Sequence, residues 1–237
     1  MSDFRNTLLK TLADFDVSLD ETAVDRLCTY NDLLVEWNEK INLTALTAPG
    51  DVALKHFTDS LMLLRYIKIE KDARIIDVGT GAGFPGLVLK IARPDIRLTL
   101  LDSLQKRLSF LEEVCRALRI DDVELIHSRA EDGARTHLRD SFDIAVSRAV
   151  ASMNVLCEYD MPYVKVGGRF IAMKSKEADT ELADAQNAIA TLGGKWIGNH
   201  DFILGSAGER SIIEVEKLNP TPEKFPRKSK QIKNKPL

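Results

Sequence analysis

A glycine-rich segment carries the clearest chemical signal in this chain of 237 residues, DVGTGAGF at residues 77–84. It follows a short apolar, β-branched run that predicts a strand, and it precedes a helical pattern. Glycines at such a junction let the backbone turn sharply and approach a ligand without a Cβ in the way. We therefore expect a nucleotide-like cofactor here, bound by Asp77, Gly79, Gly81 and Phe84.

A carboxylate follows at a spacing that supports this interpretation. Asp102 lies nineteen residues after Gly83, at the end of the next predicted strand. At that place it can accept hydrogen bonds from both hydroxyls of a ribose. The glycine turn and Asp102 together predict a site for an adenosine moiety, whereas the glycines alone would indicate only a tight turn.

Two cofactors compete for such a site. The dinucleotide fingerprint requires Gly or Ala where this chain has Phe84, because a pyrophosphate lies on the helix N-terminus there. Asp77 would also place negative charge beside those phosphates, but it suits the cationic methionine moiety of S-adenosylmethionine. The pattern favours S-adenosylmethionine over NAD.

Two further strand ends supply candidate site residues. Ala130 and Glu131 follow the third predicted strand, where ligands bind in open α/β folds, and we assign them to the adenine edge. The alternative for Glu131 is a capping role in the short helix that follows. Arg148 ends the fourth strand and is expected to hold a carboxylate or a phosphate, the alternative being a solvated surface arginine. The Asn/Asp-Pro-Pro-aromatic motif of amino-N6 methyltransferases is absent there, which disfavours methylation of an exocyclic amine.

No side chain emerges as a general base. Cys157 falls inside a predicted helix, which disfavours a covalent pyrimidine-C5 mechanism, and a lone histidine such as His56 is more often structural. Methylation of a ring nitrogen that has a free lone pair requires no proton removal, so positioning alone could supply most of the acceleration. We predict no catalytic side chain. We also predict no metal, because three widely separated cysteines fit reduced thiols better than a zinc cluster.

The order of the predicted elements indicates an α/β fold. Residues 1–70 are expected to form a helical N-terminal extension, with a capping box at Ser18 and Glu21. Residues 71–218 alternate between strands and helices and end in an antiparallel strand pair. This predicts a Rossmann-like methyltransferase core, with a mostly parallel seven-stranded sheet flanked by helices. Residues 219–237 form a basic C-terminal tail.

Composition and charge constrain the location and the partners. Apolar residues make up 44% of the chain and charged residues 29%, as in ordinary soluble proteins, and no apolar run reaches the length of a membrane span. No secretory signal is apparent, which predicts a cytoplasmic protein. The net charge of -3 conceals a stretch, residues 224–237, with six basic residues and no acid. We expect it to attract phosphates without affecting cofactor affinity, because the glycine turn and Asp102 belong to the sheet.

Four sequence blocks point to a known family. They are WNEKINLT at 37–44, KHFTDSL at 55–61, DVGTGAGFPG at 77–86 and SRAVA at 147–151. With them, nearly the whole chain resembles the RsmG (GidB) family of bacterial 16S ribosomal RNA guanine-N7 methyltransferases. The resemblance implies methyl transfer from S-adenosylmethionine to N7 of guanine 527 in the 530 loop of 16S rRNA. By position, it also implies cofactor contacts at Gly79, Phe84, Ala130, Glu131 and Arg148.

The tail departs from the family pattern. A Gly and a Pro that are usual there are missing from SKQIK at 229–233, which leaves the conformation of the tail open. We expect a monomer that binds 16S rRNA or the small ribosomal subunit and no membrane. Two other functions remain open: a small-molecule methyltransferase, which the basic tail makes less attractive, and a cofactor-sensing RNA-binding protein without catalysis.

Overall fold

The computed structural model describes residues 3–148, 150–175 and 178–237. Position 149, in the SRAVA block, lies outside the described residues. The strands are β1 Arg74–Val78, β2 Arg97–Asp102, β3 Val123–His127, β4 Phe142–Arg148, β5 Val164–Ser175, β6 Gly194–Ile203 and β7 Glu209–Lys217. They form one seven-stranded sheet in the order β3-β2-β1-β4-β5-β7-β6.

Helices precede, separate and follow these strands. They are α1 Asp3–Asp14, α2 Glu21–Ile41, α3 Pro49–Val52, α4 Asp59–Tyr66, α5 Gly86–Ala92, α6 Gln105–Leu118, α7 Ala130–Gly133, α8 Met153–Asp160, α9 Ala178–Thr191 and α10 Ser229–Asn234. A π-helical segment, Ala53–Thr58, joins α3 to α4. Within the ranges that the structure describes, none of the helices is long and apolar enough to span a bilayer.

The sheet is mostly parallel, as the sequence predicted. β1 pairs in parallel with β2 on one side and with β4 on the other, so the strand order reverses at β1. β7 pairs antiparallel with β5 and β6, which confirms the predicted terminal pair. Ligands bind in the crevice outside the carboxyl ends of parallel strands where the order reverses. The topology therefore places a site beside the loops that follow β1 and β4.

Both faces of the sheet are covered by helices. Consecutive residues of β1 point to opposite faces, Ile75 into one hydrophobic cluster and Ile76 into another. The first cluster contains the buried sides of α1, α2, α4, α5 and α6, and the second contains those of α8 and α9. Both isoleucines are fully buried, so two consecutive residues of this strand are apolar instead of alternating with polar ones.

The N-terminal helices pack directly on the sheet and its glycine turn. Tyr30 of α2 is fully buried, and its hydroxyl donates a hydrogen bond to the carbonyl of Ala82. Asp20 is the N-cap of α2, and its carboxylate accepts a hydrogen bond of 2.7 Å from the amide of Ala23. The predicted capping role of Ser18 is wrong, because Asp20 lies directly before the helix and supplies the acceptor itself.

The C-terminal residues also fold onto the core. Ile232 of α10 is fully buried against Val155 and Tyr159 of α8. Arg227 forms an ion pair of 2.6 Å with Glu158, a fully buried residue of the same helix α8. The short helix α10 forms where the family's Gly and Pro are missing, since no helix breaker interrupts it. The tail is docked because α8 offers it both an apolar contact and a buried acid.

Candidate active site

A cavity of about 710 Å³ opens at the carboxyl ends of β1, β2 and β3. It lies where the strand order predicts a ligand crevice. All but one of the predicted cofactor residues line it, namely Gly79, Gly81, Phe84, Asp102, Ala130, Glu131 and Arg148. The exception is Asp77.

The glycine turn lines this cavity with its backbone. Gly79 and Gly81 have φ values of 74° and 62°, which residues with a Cβ rarely adopt. The amides of Gly79 and Thr80 donate hydrogen bonds of 2.8 and 3.1 Å to the carbonyl of Leu101, which hold the turn against β2. A Cβ on Gly81 would meet nothing closer than a backbone oxygen at 4.0 Å. The turn therefore leaves open space on its ligand side.

Asp77 lies behind the turn and not on the cavity wall. It is fully buried, and its Oδ2 accepts hydrogen bonds of 2.7 Å from the Thr80 hydroxyl and 2.8 Å from the Gly86 amide. Burial raises the pKa of Asp77 to about 6, although both hydrogen bonds favour the carboxylate. The structure does not bring this side chain to the expected place beside a methionine moiety, because it ties the turn to the start of α5. Asp77 is a residue that shapes the turn.

Asp102 lies at the predicted strand end and faces the cavity. Its side chain is only 2% exposed. One carboxylate oxygen accepts a hydrogen bond of 2.9 Å from the Gly81 amide and lies 3.2 Å from the Arg107 guanidinium, and the other accepts one of 2.8 Å from the Leu104 amide. Asp102 thus orients the glycine turn from the wall of the cavity.

Ala130 and Glu131 form the start of α7 at the opposite wall. Tyr163 donates a hydrogen bond of 2.6 Å to the carbonyl of Ala130, which fixes this end of the helix. Glu131 is buried, and within the described ranges its carboxylate makes no hydrogen bond. The alternative of a capping role for Glu131 is therefore wrong, and its carboxylate is free to accept a hydrogen bond from a ligand.

Arg148 is held between the sheet and the N-terminal helices. Its side chain is 13% exposed, so the alternative of a solvated surface arginine is wrong. The guanidinium donates to Asp59 at 2.9 Å and to the carbonyl of Lys55 at 3.0 Å, and it lies over the ring of Phe84 at 5.3 Å. Arg148 was expected to hold a carboxylate or a phosphate, and in the structure Asp59 of the same chain supplies a carboxylate.

His56 belongs to this wall as well, and its position could not be predicted from its helical pattern. Its ring stacks on Phe84 at 4.6 Å, and its Nε2 lies 2.8 Å from the Thr44 hydroxyl. Its Nδ1 lies 3.3 Å from a nitrogen of Arg148. Burial and the charge of Arg148 lower the pKa of His56 to about 3. His56 is therefore neutral near pH 7, with Nδ1 accepting and Nε2–H donating.

A second cavity, of about 330 Å³, lies at the carboxyl ends of β4 and β5. It adjoins the first, because His56 and Arg148 line both. Its charged lining residues are Lys55, Asp59, Arg148, Lys174, Glu181 and Arg210. Sequence reasoning missed this cavity, although the KHFTDSL block, which contains His56 and Asp59, was the signal that could have pointed to it.

The C-terminal segment, defined here as residues 225–237, contributes a further wall of the first cavity. Ser229 and Lys233 line it beside Tyr159. This placement brings the segment next to the predicted cofactor residues, whereas the sequence predicted a tail that does not affect cofactor affinity. The reason is the docking on α8, which carries α10 to the mouth of the cavity.

Comparisons with known proteins agree with this geometry. The family model described as rRNA small subunit methyltransferase G, GidB, matches residues 23–205. A relative named Ribosomal RNA small subunit methyltransferase G from Clostridium perfringens (strain SM101 / Type A) is 49% identical, over 97% of this chain and 98% of its own length. A relative of the same name from Alkaliphilus metalliredigens (strain QYMF) is 47% identical, over 92% of both chains.

Solved structures show the same fold at low identity. TYW2 of M. jannaschii in complex with AdoMet has a TM-score of 0.53 and 13% identity, over 66% of this chain and 74% of its own. The 16S rRNA (adenine(1408)-N(1))-methyltransferase of Catenulisporales acidiphilia has a TM-score of 0.51 and 15% identity, over 64% and 88%. The extended match to the family, together with a Rossmann-like sheet that has a cavity at its switch point, places this chain in the rRNA small subunit methyltransferase G (GidB) family of S-adenosylmethionine-dependent methyltransferases.

Proposed function

We propose that this protein transfers the methyl group of S-adenosylmethionine to N7 of a guanine in the 530 loop of 16S ribosomal RNA. The observation that carries the proposal is the state of His56, the histidine shared by the two cavities. Both of its ring nitrogens are already engaged, by Thr44 and by Arg148, and its pKa is about 3. Because neither ring nitrogen of His56 is available to remove a proton, this wall suits N7 of guanine, which has a lone pair and carries no proton.

The first cavity fits S-adenosylmethionine. The glycine turn leaves a cradle that side chains would fill, and Asp102 presents a carboxylate at its edge. Glu131, a buried residue on the cavity wall, adds an acceptor that has no hydrogen bond inside the described ranges and can meet the adenine amino group. We assign the methionine moiety to Gly79 and Gly81, the ribose to Asp102 and the adenine edge to Ala130 and Glu131. When bound, the cofactor supplies an electrophilic methyl group.

The residues between the cavities position the reactants. Arg148, Phe84 and His56 form one stacked and hydrogen-bonded wall that borders both spaces. A base in the second cavity would therefore lie next to the cofactor, and the rigid wall would restrict its approach. Holding two reactants in a productive orientation can account for about 7–11 kcal/mol of a barrier, so the reaction needs no covalent intermediate on the enzyme.

The substrate assignment is tested by product mapping. Small ribosomal subunits and 16S rRNA from a strain that lacks this gene would be incubated with the purified protein and S-adenosylmethionine, then digested and analysed by mass spectrometry. We expect one new 7-methylguanosine, located in the 530 loop. Methylation at another site would overturn the guanine assignment. RNA binding without methyl transfer would favour a cofactor-sensing RNA-binding protein without catalysis. Methyl transfer only to small molecules would favour a small-molecule methyltransferase.

We infer that the protein acts in the cytoplasm as a monomer. We also infer that its C-terminal segment contacts RNA phosphates. Lys228, Lys230 and Lys235 are exposed and have no ion-pair partner in the described part of the chain. Replacing these three by Gln keeps the anchoring residues Arg227 and Ile232. Each lost phosphate contact lowers the slope of log affinity against log salt by about 0.7 for single strands, so the slope should fall by about two.

A salt titration of RNA binding by the wild type and this triple variant measures that slope. Cofactor affinity, measured by calorimetry, serves as the control and should not change, because none of the three lysines lines the cofactor cavity. Equal slopes would show that the segment does not contact phosphates.

A further inference from the structure

We propose that Asp59 recognises the target guanine in the second cavity by accepting hydrogen bonds from its N1–H and 2-amino groups. The inference rests on the proposed function and assigns a specificity-determining residue to it. The second cavity adjoins the cofactor cavity through His56 and Arg148. Its volume of about 330 Å³ lies at the small end of the range for ligand cavities and suits a single base.

Asp59 presents an acceptor that lacks a donor. Its side chain is 6% exposed, and its Oδ2 is engaged by Arg148 at 2.9 Å. Its Oδ1 is buried and has no hydrogen bond within the described ranges. Arg210 has its Nε 3.4 Å from this oxygen as an ion pair without a hydrogen bond, and its Nη1 donates to the carbonyls of Ala207 and Glu209. A buried carboxylate oxygen without a donor costs free energy, which a ligand that brings a donor would recover.

Guanine is the base whose edge fits this acceptor. Its N1–H and 2-amino group are adjacent donors, and a carboxylate can only accept. Adenine and cytosine place one amino donor beside a ring nitrogen acceptor, which would face the carboxylate lone pairs. The N7 of guanine is an acceptor on the opposite side of the purine. A guanine held by Asp59 at its donor edge therefore keeps N7 free for the methyl group.

Glu181, the other acid among the described lining residues, is held through one oxygen and is 24% exposed. Its Oε2 lies 2.5 Å from the ammonium of Lys174 and accepts a hydrogen bond of 2.7 Å from the amide of Met153. It therefore offers less to a base than Asp59 does. Glu181→Gln is the matched control, because it removes a carboxylate from the same cavity and leaves Asp59 in place.

The test compares two substrates that differ by one donor. 16S rRNA would be assembled with guanosine or with inosine at the target position, since inosine keeps N7 and N1–H but lacks the 2-amino group. We expect wild-type kcat/KM to be about 10- to 100-fold lower for inosine, in line with the discrimination that one bidentate base contact supplies. In Asp59→Asn the amide oxygen should turn towards Arg148 and its NH₂ towards the base, so the preference for guanosine should fall to near unity.

The ratio of the two rates separates recognition from a merely structural role. Loss of the contact between Asp59 and Arg148 would lower both rates together, whereas recognition changes their ratio. Glu181→Gln should keep the wild-type ratio. Equal wild-type rates on both substrates, or an unchanged ratio in Asp59→Asn, would overturn the inference. The first of these outcomes does not depend on any variant folding. If the wild type forms no 7-methylguanosine at all, the proposed function itself fails.

Discussion

Two walls of the cofactor cavity that lie far apart in sequence are built by different means. The glycine turn between β1 and α5 lines the cavity with backbone, held by hydrogen bonds from Gly79 and Thr80 to Leu101. The C-terminal segment lines it with Ser229 and Lys233 and is held by side chains that dock on α8. A backbone wall depends on a few neighbouring residues, whereas a docked wall depends on contacts made across the whole fold.

The anchoring of the docked wall is concentrated in few residues. Glu158 is fully buried and receives hydrogen bonds from the amide, Nε and Nη2 of Arg227. Ile232 packs against Val155 and Tyr159. Tyr159 itself lines the cofactor cavity. Loss of the anchor should therefore lower both cofactor affinity and the stability of the fold.

The largest effect is expected from Arg227→Ala. It leaves the buried Glu158 carboxylate without its cation, and breaking a buried pair in this way costs about 3–5 kcal/mol. The free energy of unfolding should fall accordingly in urea titrations, and cofactor affinity by calorimetry should fall with it. Arg116→Ala is the control, because the pair of Arg116 with Glu113 lies at the surface and such pairs contribute about 0–1 kcal/mol. Similar losses in both variants would show that the segment is not anchored by Glu158.

The backbone wall can be tested at Gly83, with Gly81 as control. Both have positive φ, and a side chain in that conformation costs about 1–2 kcal/mol. A Cβ on Gly83 would also overlap the hydroxyl of Tyr30 and come within 2.7 Å of Leu111, and such overpacking adds about 1–3 kcal/mol. Gly83→Ala should therefore destabilise the fold more than Gly81→Ala in thermal unfolding. The reverse order would contradict the assignment of Gly83 to packing.

A smaller effect is expected from replacing Asp102, the side chain that holds the glycine turn through the Gly81 amide. Asp102→Ala removes the acceptor of the Gly81 and Leu104 amides and the proposed partner of the ribose. Leaving such groups unpaired costs about 1–3 kcal/mol, so S-adenosylmethionine should bind more weakly by about that amount in calorimetry. Asp95→Ala is a suitable control, because Asp95 pairs with Arg93 and does not line the cavity. Unchanged cofactor affinity in Asp102→Ala would remove Asp102 from the site.

The smallest effect is expected from pH. Burial is the main cause of two pKa shifts: it lowers the pKa of His56 to about 3 and raises the pKa of Asp77 to about 6. As pH rises, His56 therefore loses its proton well before pH 6 is reached. Asp77 is largely ionised above pH 6. Single-turnover rates on bound RNA should therefore show no ascending limb between about pH 6 and 9, where a base with a matched pKa would titrate. An ascending limb in that range would refute the mechanism without a base.

The pH dependence of folding separates these two groups, because their pKa values move in opposite directions. The unfolded chain binds the His56 proton more tightly between about pH 3 and 6.5, so stability from His56 rises with pH through that window. The folded chain binds the Asp77 proton more tightly between about pH 4 and 6, so stability from Asp77 falls as pH rises there. Asp77→Asn should steepen the rise of stability with pH in urea titrations below pH 6.

Local patterns were sufficient for the cofactor half of the site. The glycine turn, Asp102 and the pair Ala130 and Glu131 each lie at the carboxyl end of a parallel strand, and parallel strands bring those ends to one edge. The apolar runs and the turn residues therefore determined the fold class and the kind of cofactor. Asp77 lies behind the turn and not on the cavity wall, because a motif does not tell which of its polar side chains points into the protein.

Tertiary contacts alone decided the rest. Asp59 and His56 reach the site because a π-helical segment from the N-terminal region packs against Arg148 of β4. The C-terminal residues, whose charge suggested a tail that attracts phosphates, are docked because Glu158 needs a cation that only Arg227 supplies within the described residues. Composition records how much charge a segment carries. Whether that charge meets water or a buried acid depends on neighbours far away in sequence, which only the folded chain brings together.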